Sequence, residues 1–179
     1  MTSFLTDSLI IANPALSDVP KFSNIAGRAI YIIEHSDTGA VGVSLNLNYS
    51  MPISEAAENF PILASLTSEN LLSDKIMAGG PIADNAPWIL GKQLNPYDKQ
   101  VSNEHLAINF SEQAFKDNLR EHSSICGIGS FGWGAGQLES ELANGLWHYF
   151  PTAKEILGTI PFPDSFQGAV QLLLVMKYD

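Results

Sequence analysis

Residues Gly127 to Leu146 read GIGSFGWGAGQLESELANGL. The short apolar run Ser124-Ile125-Cys126 before them reads as the end of a buried strand. Gly127, Gly129, Gly132, Gly134 and Gly136 then read as a tight turn, because such glycine density serves positive φ or close backbone approach. From Ala135 onward, Leu138, Leu142 and Leu146 recur at i, i+4 and i+8, one apolar stripe of a helix. Gly145 is its C′ stop. The expectation is strand, turn, helix, with Trp133 exposed on the turn. Glu139 and Glu141 lie about 200° apart around that helix, so they cannot act on one another as acid and base. Gly127-x-Gly129-x-x-Gly132 formally matches a dinucleotide fingerprint. Bulky Trp133 sits where phosphate would approach, and a turn with helix-sheet packing is preferred.

Working outward, Leu9 to Ala12 is a continuous apolar run closed by Asn13-Pro14, hence a buried strand. Pro14 to Gly27 reads as a long loop or irregular helix. Ala29–Glu34 and Ala40–Leu47 flank Ser36-Asp37-Thr38-Gly39, which predicts a β-hairpin. Short strands are expected at Lys75–Ala78, Trp88–Leu90, His105–Asn109 and Trp147–Phe150. Helices are expected at Ser54–Asn59, from Pro61 to Leu72, after Ser111 and from Asp164, with a capping box at Thr152-x-x-Glu155. The early hairpin opposes a purely parallel sheet. The expected class is α+β: a mixed, strongly bent sheet with helices packed around it.

The chain has 179 residues, 45% of them hydrophobic, and a formal charge of −10 from 19 acids and 9 bases. That length suits one domain (1–179) with a sizeable core, since such domains hide about 70% of their unfolded surface. The nine bases form no run, whereas contacting 6–10 phosphates needs clustered Lys and Arg. Direct nucleic-acid binding is disfavoured. The lone Cys126 excludes an internal disulfide and fits a reducing, cytoplasmic setting. No signal peptide or span of ~20 apolar residues is visible, so no membrane partner is expected.

Gly132-Trp133-Gly134-Ala135-Gly136-Gln137-Leu138-Glu139 resembles the GWGxGQLE signature of the YqgE/AlgH family of bacterial proteins. Leu9 to Pro14, Ile30 to Gly42 (IYIIEHSDTGAVG) and Gly79-Gly80-Pro81 resemble further blocks of it, in order and spacing, over almost the whole chain. The resemblance implies an α+β sandwich whose sheet partly curls into a small barrel. It also implies the regulatory role that some members carry. This chain departs from the pattern at Leu45-Asn46-Leu47-Asn48, where the family has Leu-Asn-Arg-Pro. It also has Gly27-Arg28-Ala29 in place of Arg-Ser, and a longer stretch at 60–74. If the missing Arg contacts a ligand, this member has lost that contact.

The polar residues allow several chemistries. Glu34-His35 stands at a strand end, but neighbours on a strand point to opposite faces and do not naturally cooperate. His35, His105, His122 and His148 are scattered and no metal-binding spacing occurs, so neither metal nor cofactor is expected. No G-x-S-x-G elbow surrounds Ser44 or Ser130. Gly79 and Gly80 read as a tight turn passing two elements close together, with an anion nest as the functional alternative. A binding lip is drawn with Trp133, Gln137 and Glu139 on one side and Glu34, His35 and Asn46 opposite, and Gly79, Gly80 and Gly136 are the remaining candidates. The leading expectation is a non-enzymatic binding or regulatory protein with a small-molecule or protein partner. A hydrolase using Glu34, His35 or Glu139 is second, and a direct DNA binder third.

Overall fold

The computed structural model describes residues 4–23, 25–45, 48–52, 75–78, 80, 82–91, 100–102, 107–111 and 125–150. The chain forms β1 (Ser8–Ile11), two short 3-10 turns (Pro14–Asp18 and Pro20–Phe22), β2 (Ala29–Ser36) and β3 (Gly39–Ser44). There follow β4 (Asn48–Pro52), β5 (Lys75–Ala78), β6 (Ile82–Gly91), β7 (Gln100–Ser102) and β8 (Ala107–Asn109). The described chain ends with β9 (Ile125–Gly134), helix α1 (Gln137–Ala143) and β10 (His148–Phe150). The strands form one sheet in the order β10-β1-β2-β3-β9-β6-β8-β7, with β4 on β5 and β5 on β9. Among the described residues only β5 and β9 pair in parallel, so the sheet is mixed. It curls strongly into a half-barrel. The expected hairpin is present as β2 and β3, joined by Asp37 and Thr38. The helices expected at 54–59, 61–72, beyond Ser111 and after Pro151 lie outside the described residues.

The glycine-rich stretch is not a turn but the centre of the sheet. Its first half pairs with β6 and with β5, and its second half pairs with β3 from Phe131 to Gly134. Glycine is ordinarily depleted from strands, which is why the sequence reads as a turn. Here the Trp88 ring lies across the strand: a Cβ on Gly127 would stand 2.2 Å from Trp88 Cζ2. The indole then donates from Nε1 to the carbonyl of Gly129 at 2.7 Å. Gly129 has φ 84°, a left-handed conformation open mainly to glycine, just before β9 passes from its first partners to β3. A glycine inside a strand marks close approach or a bend, and this strand contains both.

A seven-residue helix has no stability of its own in water and depends on its packed face. In α1 that face is Leu138, 1% exposed, with Leu142 and Leu146 half-buried behind it as the 3.6 periodicity predicts. They pack on Ile10, Ile30, Ile32, Phe131 and Trp133 from the sheet's inner face and on Trp147 just before β10. Burying a leucine of this kind contributes about 1.5–3 kcal/mol. Gly145 closes the helix as expected: its N–H bonds the Leu142 carbonyl, and that of Leu146 reaches Glu141. This is a Schellman stop, with the glycine at φ 76°.

Candidate functional site

β2 carries an irregularity that decides the site. Ile32 pairs with Gly42 and Glu34 with Val41, so Ile33 is the extra residue of a bulge. On a regular strand Ile32 and His35, three apart, would face opposite ways. A bulge re-aims the chain beyond it. His35 therefore joins Ile32 on the inner side, below α1, while Glu34 points outward and is exposed.

His35 is held from all sides. The Leu5 N–H donates to its Nδ1 at 2.9 Å. That leaves the ring proton on Nε2, which donates to Glu139 Oε1. The His35 side chain is fully buried and that of Glu139 is 28% exposed. Thr6 Oγ1 accepts the His35 N–H at 2.9 Å and donates to the His35 carbonyl at 3.3 Å. The Phe4 ring stands edge-on to the imidazole at 5.1 Å. One imidazole thus ties the N-terminal segment to the helix across the end of β2.

Two residues on, Glu141 does similar work. Its Oε2 accepts from Trp133 Nε1 at 2.6 Å and from Trp147 Nε1 at 3.0 Å, and its Oε1 accepts from Gln137 Nε2 at 3.4 Å. Gln137 Oε1 in turn accepts the Gly134 N–H at 2.9 Å, bracing the turn into α1. Trp133 is 7% exposed, contrary to its expected place on an open turn. It lies at the end of a strand, with its ring stacked beside Phe131 and edge-on to Trp147. Sequence reasoning missed Glu141. The signal was present: it lies four residues after Gln137 and between two tryptophans that need a partner for a buried N–H.

The drawn lip therefore divides. His35 and Glu139 do meet, and Trp133 and Gln137 meet through Glu141, all beneath or beside α1. Glu34 stands on the opposite side of the sheet. Gly136 forms the turn into α1 at φ 75°. Gly80 packs elsewhere, where a Cβ would lie 2.2 Å from the Ser130 backbone. That matches the close passage expected of it. Asn46 and Gly79 lie outside the described residues.

The outer side is different in kind. Glu34, Ser36, Thr38, Gly39 and Val41 line an open pocket of about 210 Å³ at the end of the hairpin, together with Ala40 and Trp133, two residues that also belong to the inner cluster. The exposed carboxylates of Glu34 and Asp37 make no hydrogen bond or ion pair among the described residues. A second feature absent from the sequence reading is buried Asp7, at φ 64°, which accepts from the Tyr31 hydroxyl through Oδ1. Its Oδ2 is buried without a partner. Among the described residues no group of three or more His, Cys, Asp or Glu is placed to hold a metal, and no helix is long and apolar enough to cross a membrane.

The chain resembles known proteins along most of its length. A UPF0301 protein of Dechloromonas aromatica is 31% identical over 177 residues, covering 94% of this chain and 90% of that protein. A UPF0301 protein of Vibrio vulnificus is 28% identical over 176 residues, with 94% and 91% covered. The solution structure of the AlgH protein from Pseudomonas aeruginosa superposes with a TM-score of 0.71 at 24% identity, covering 100% of this chain and 96% of that one. A crystal structure from Corynebacterium diphtheriae has the same fold more distantly, with a TM-score of 0.55 at 18% identity over 90% of each chain. With a family model described as AlgH-like matching residues 9–177, the chain belongs to the AlgH-like family.

Proposed function

We propose that this protein is a non-enzymatic binding or regulatory protein that meets its partner on the outer face of the β2–β3 hairpin. The observation that carries this reading is the engagement of both ring nitrogens of His35 by the protein itself. A general base needs a nitrogen about 2.6–3.2 Å from the proton it takes. Here that nitrogen would have to abandon either the N-terminal segment or the helix. Glu139 and Glu141 are likewise occupied in holding α1. Glu34 and the pocket beside it are the part of the former lip with polar atoms to spare. The regulatory role carried by some members of the resembling family agrees with this reading, and the formal charge of −10 speaks against DNA as the partner.

The test is recovery of cross-linked partners on tagged protein in cells, compared between Val41→Lys on the outer face and Glu139→Gln on the inner. Val41→Lys should reduce recovery at least tenfold with the melting temperature nearly unchanged. Unchanged recovery by Val41→Lys, with loss in Glu139→Gln, would move the site inward and overturn the reading. The hydrolase alternative keeps one observation in its favour, the contact between His35 and Glu139. It requires turnover of nitrophenyl esters or phosphates by the wild type, lost in folded His35→Ala. A wild type without turnover removes it.

A further inference from the structure

We propose that the outer pocket of the β2–β3 hairpin seats an arginine side chain supplied by a partner protein. This rests on the reading above that the outer face binds a partner, and it names what enters. Size is the first argument. The pocket measures about 210 Å³. Cofactor and drug-sized ligands occupy pockets of about 300–1,000 Å³. One long side chain is the better fit.

Charge selects which. Glu34 is the carboxylate that lines the pocket, it is exposed, and nothing in the described protein neutralises it. Exposed Asp37 lies at the hairpin turn, and the whole chain is strongly acidic. An anionic group would be repelled, and a cation drawn in.

The remaining lining separates guanidinium from ammonium. Ser36 Oγ accepts the Thr38 N–H at 3.2 Å and shares one hydrogen bond with Thr38 Oγ1 at 2.8 Å. Whichever hydroxyl donates in that bond, Thr38 Oγ1 keeps a lone pair to spare, since a hydroxyl oxygen accepts twice. A carboxylate and a hydroxyl acceptor on one rim suit the planar, five-donor guanidinium better than a point charge. Val41, directly across from Glu34 and 37% exposed, offers an aliphatic wall for the methylene stem. Gly39 brings the hairpin close against β9, since a Cβ there would stand 2.3 Å from the Trp133 carbonyl oxygen.

A single exposed ion pair is weak, so the isolated side chain should bind in the millimolar range and the rest of the partner must add affinity. The probes are three acetylated, amidated tripeptides with Arg, Lys or Glu between two glycines, titrated into the isotope-labelled full chain and followed by amide NMR shifts. The arginine peptide should give saturable shifts at Glu34, Ser36, Thr38 and Val41. The lysine peptide should bind several-fold more weakly, and the glutamate peptide not at all. Glu34→Gln should weaken the arginine peptide at least about fivefold, and raising salt should weaken it in the wild type far more than in that variant. Shifts scattered over the surface, equal binding by Glu34→Gln, or preference for the glutamate peptide would overturn the proposal. Should the arginine peptide fail while Val41→Lys still abolishes partner recovery, the docking face stands and its basic occupant falls. If Val41→Lys also leaves recovery unchanged, both fall.

Discussion

Glu34 and His35 are neighbours on one strand, yet they belong to two regions that use polar groups in opposite ways. Below the sheet, His35, Glu139, Gln137 and Glu141 spend their hydrogen-bonding capacity on one another and on Leu5, Gly134, Trp133 and Trp147. Above it, Glu34 and Asp37 have no such partner among the described residues and face solvent around an open pocket. Both regions are polar and lie within one hairpin and one helix of each other. The difference is satisfaction. A buried polar group must be paired or it costs the fold about 1–3 kcal/mol, whereas an exposed one is paired by water at no such cost. The motif that looks most like a reaction centre in the sequence thus works as a fastening, and the plainer surface beside it keeps its polar groups open to solvent.

Substitutions can break that contrast, beginning with the largest expected effect. Trp133→Ala should cost about 3–5 kcal/mol, as aromatic-to-alanine changes in cores do, since it removes ring contacts and one of the two indole donors to Glu141. Denaturant unfolding measures it, and a loss under 1 kcal/mol would mean that the inner cluster is not a fastening. Glu141→Ala comes next. It strands two indole N–H groups, and the expected loss is about 2–3 kcal/mol with far-UV helix signal reduced. Tyr31→Phe leaves buried Asp7 without its donor and should cost about 1–2 kcal/mol by the same measurement. The smallest effect belongs to the outer face. Glu34→Gln should leave stability within about 0.5 kcal/mol, or some 1–2 °C in melting temperature, while arginine-peptide binding falls. A large stability loss there would show that Glu34 is structural after all and erase the distinction.

Much of this was legible. The apolar run at Leu9, the hairpin about Asp37 and Thr38, the strand at Lys75–Ala78, the leucine stripe of α1 and its glycine stop all follow local rules, and the structure has them. The opposite facing of Glu34 and His35 was legible too, from the alternation of strand side chains. Three things were not. Local propensity turned β9 into a loop, because the ring that needs Gly127 to be small belongs to Trp88, 39 positions earlier. The bulge at Ile33 leaves no mark in a run of isoleucines, yet it alone brings His35 to the side of α1. Glu141 was overlooked because its partners arrive from the strand before the helix and the segment after it.

Taken by itself, the chain determined its bent, mixed sheet, its acidic character, its hairpin turn and its family, since periodicity, charge and glycine stops act between residues a few places apart. Only the tertiary structure decided which polar groups are consumed and which remain exposed to solvent. That outcome depends on distances between residues far apart in sequence, such as the 104 positions from His35 to Glu139, and on a one-residue bulge that exchanges the two faces of a strand.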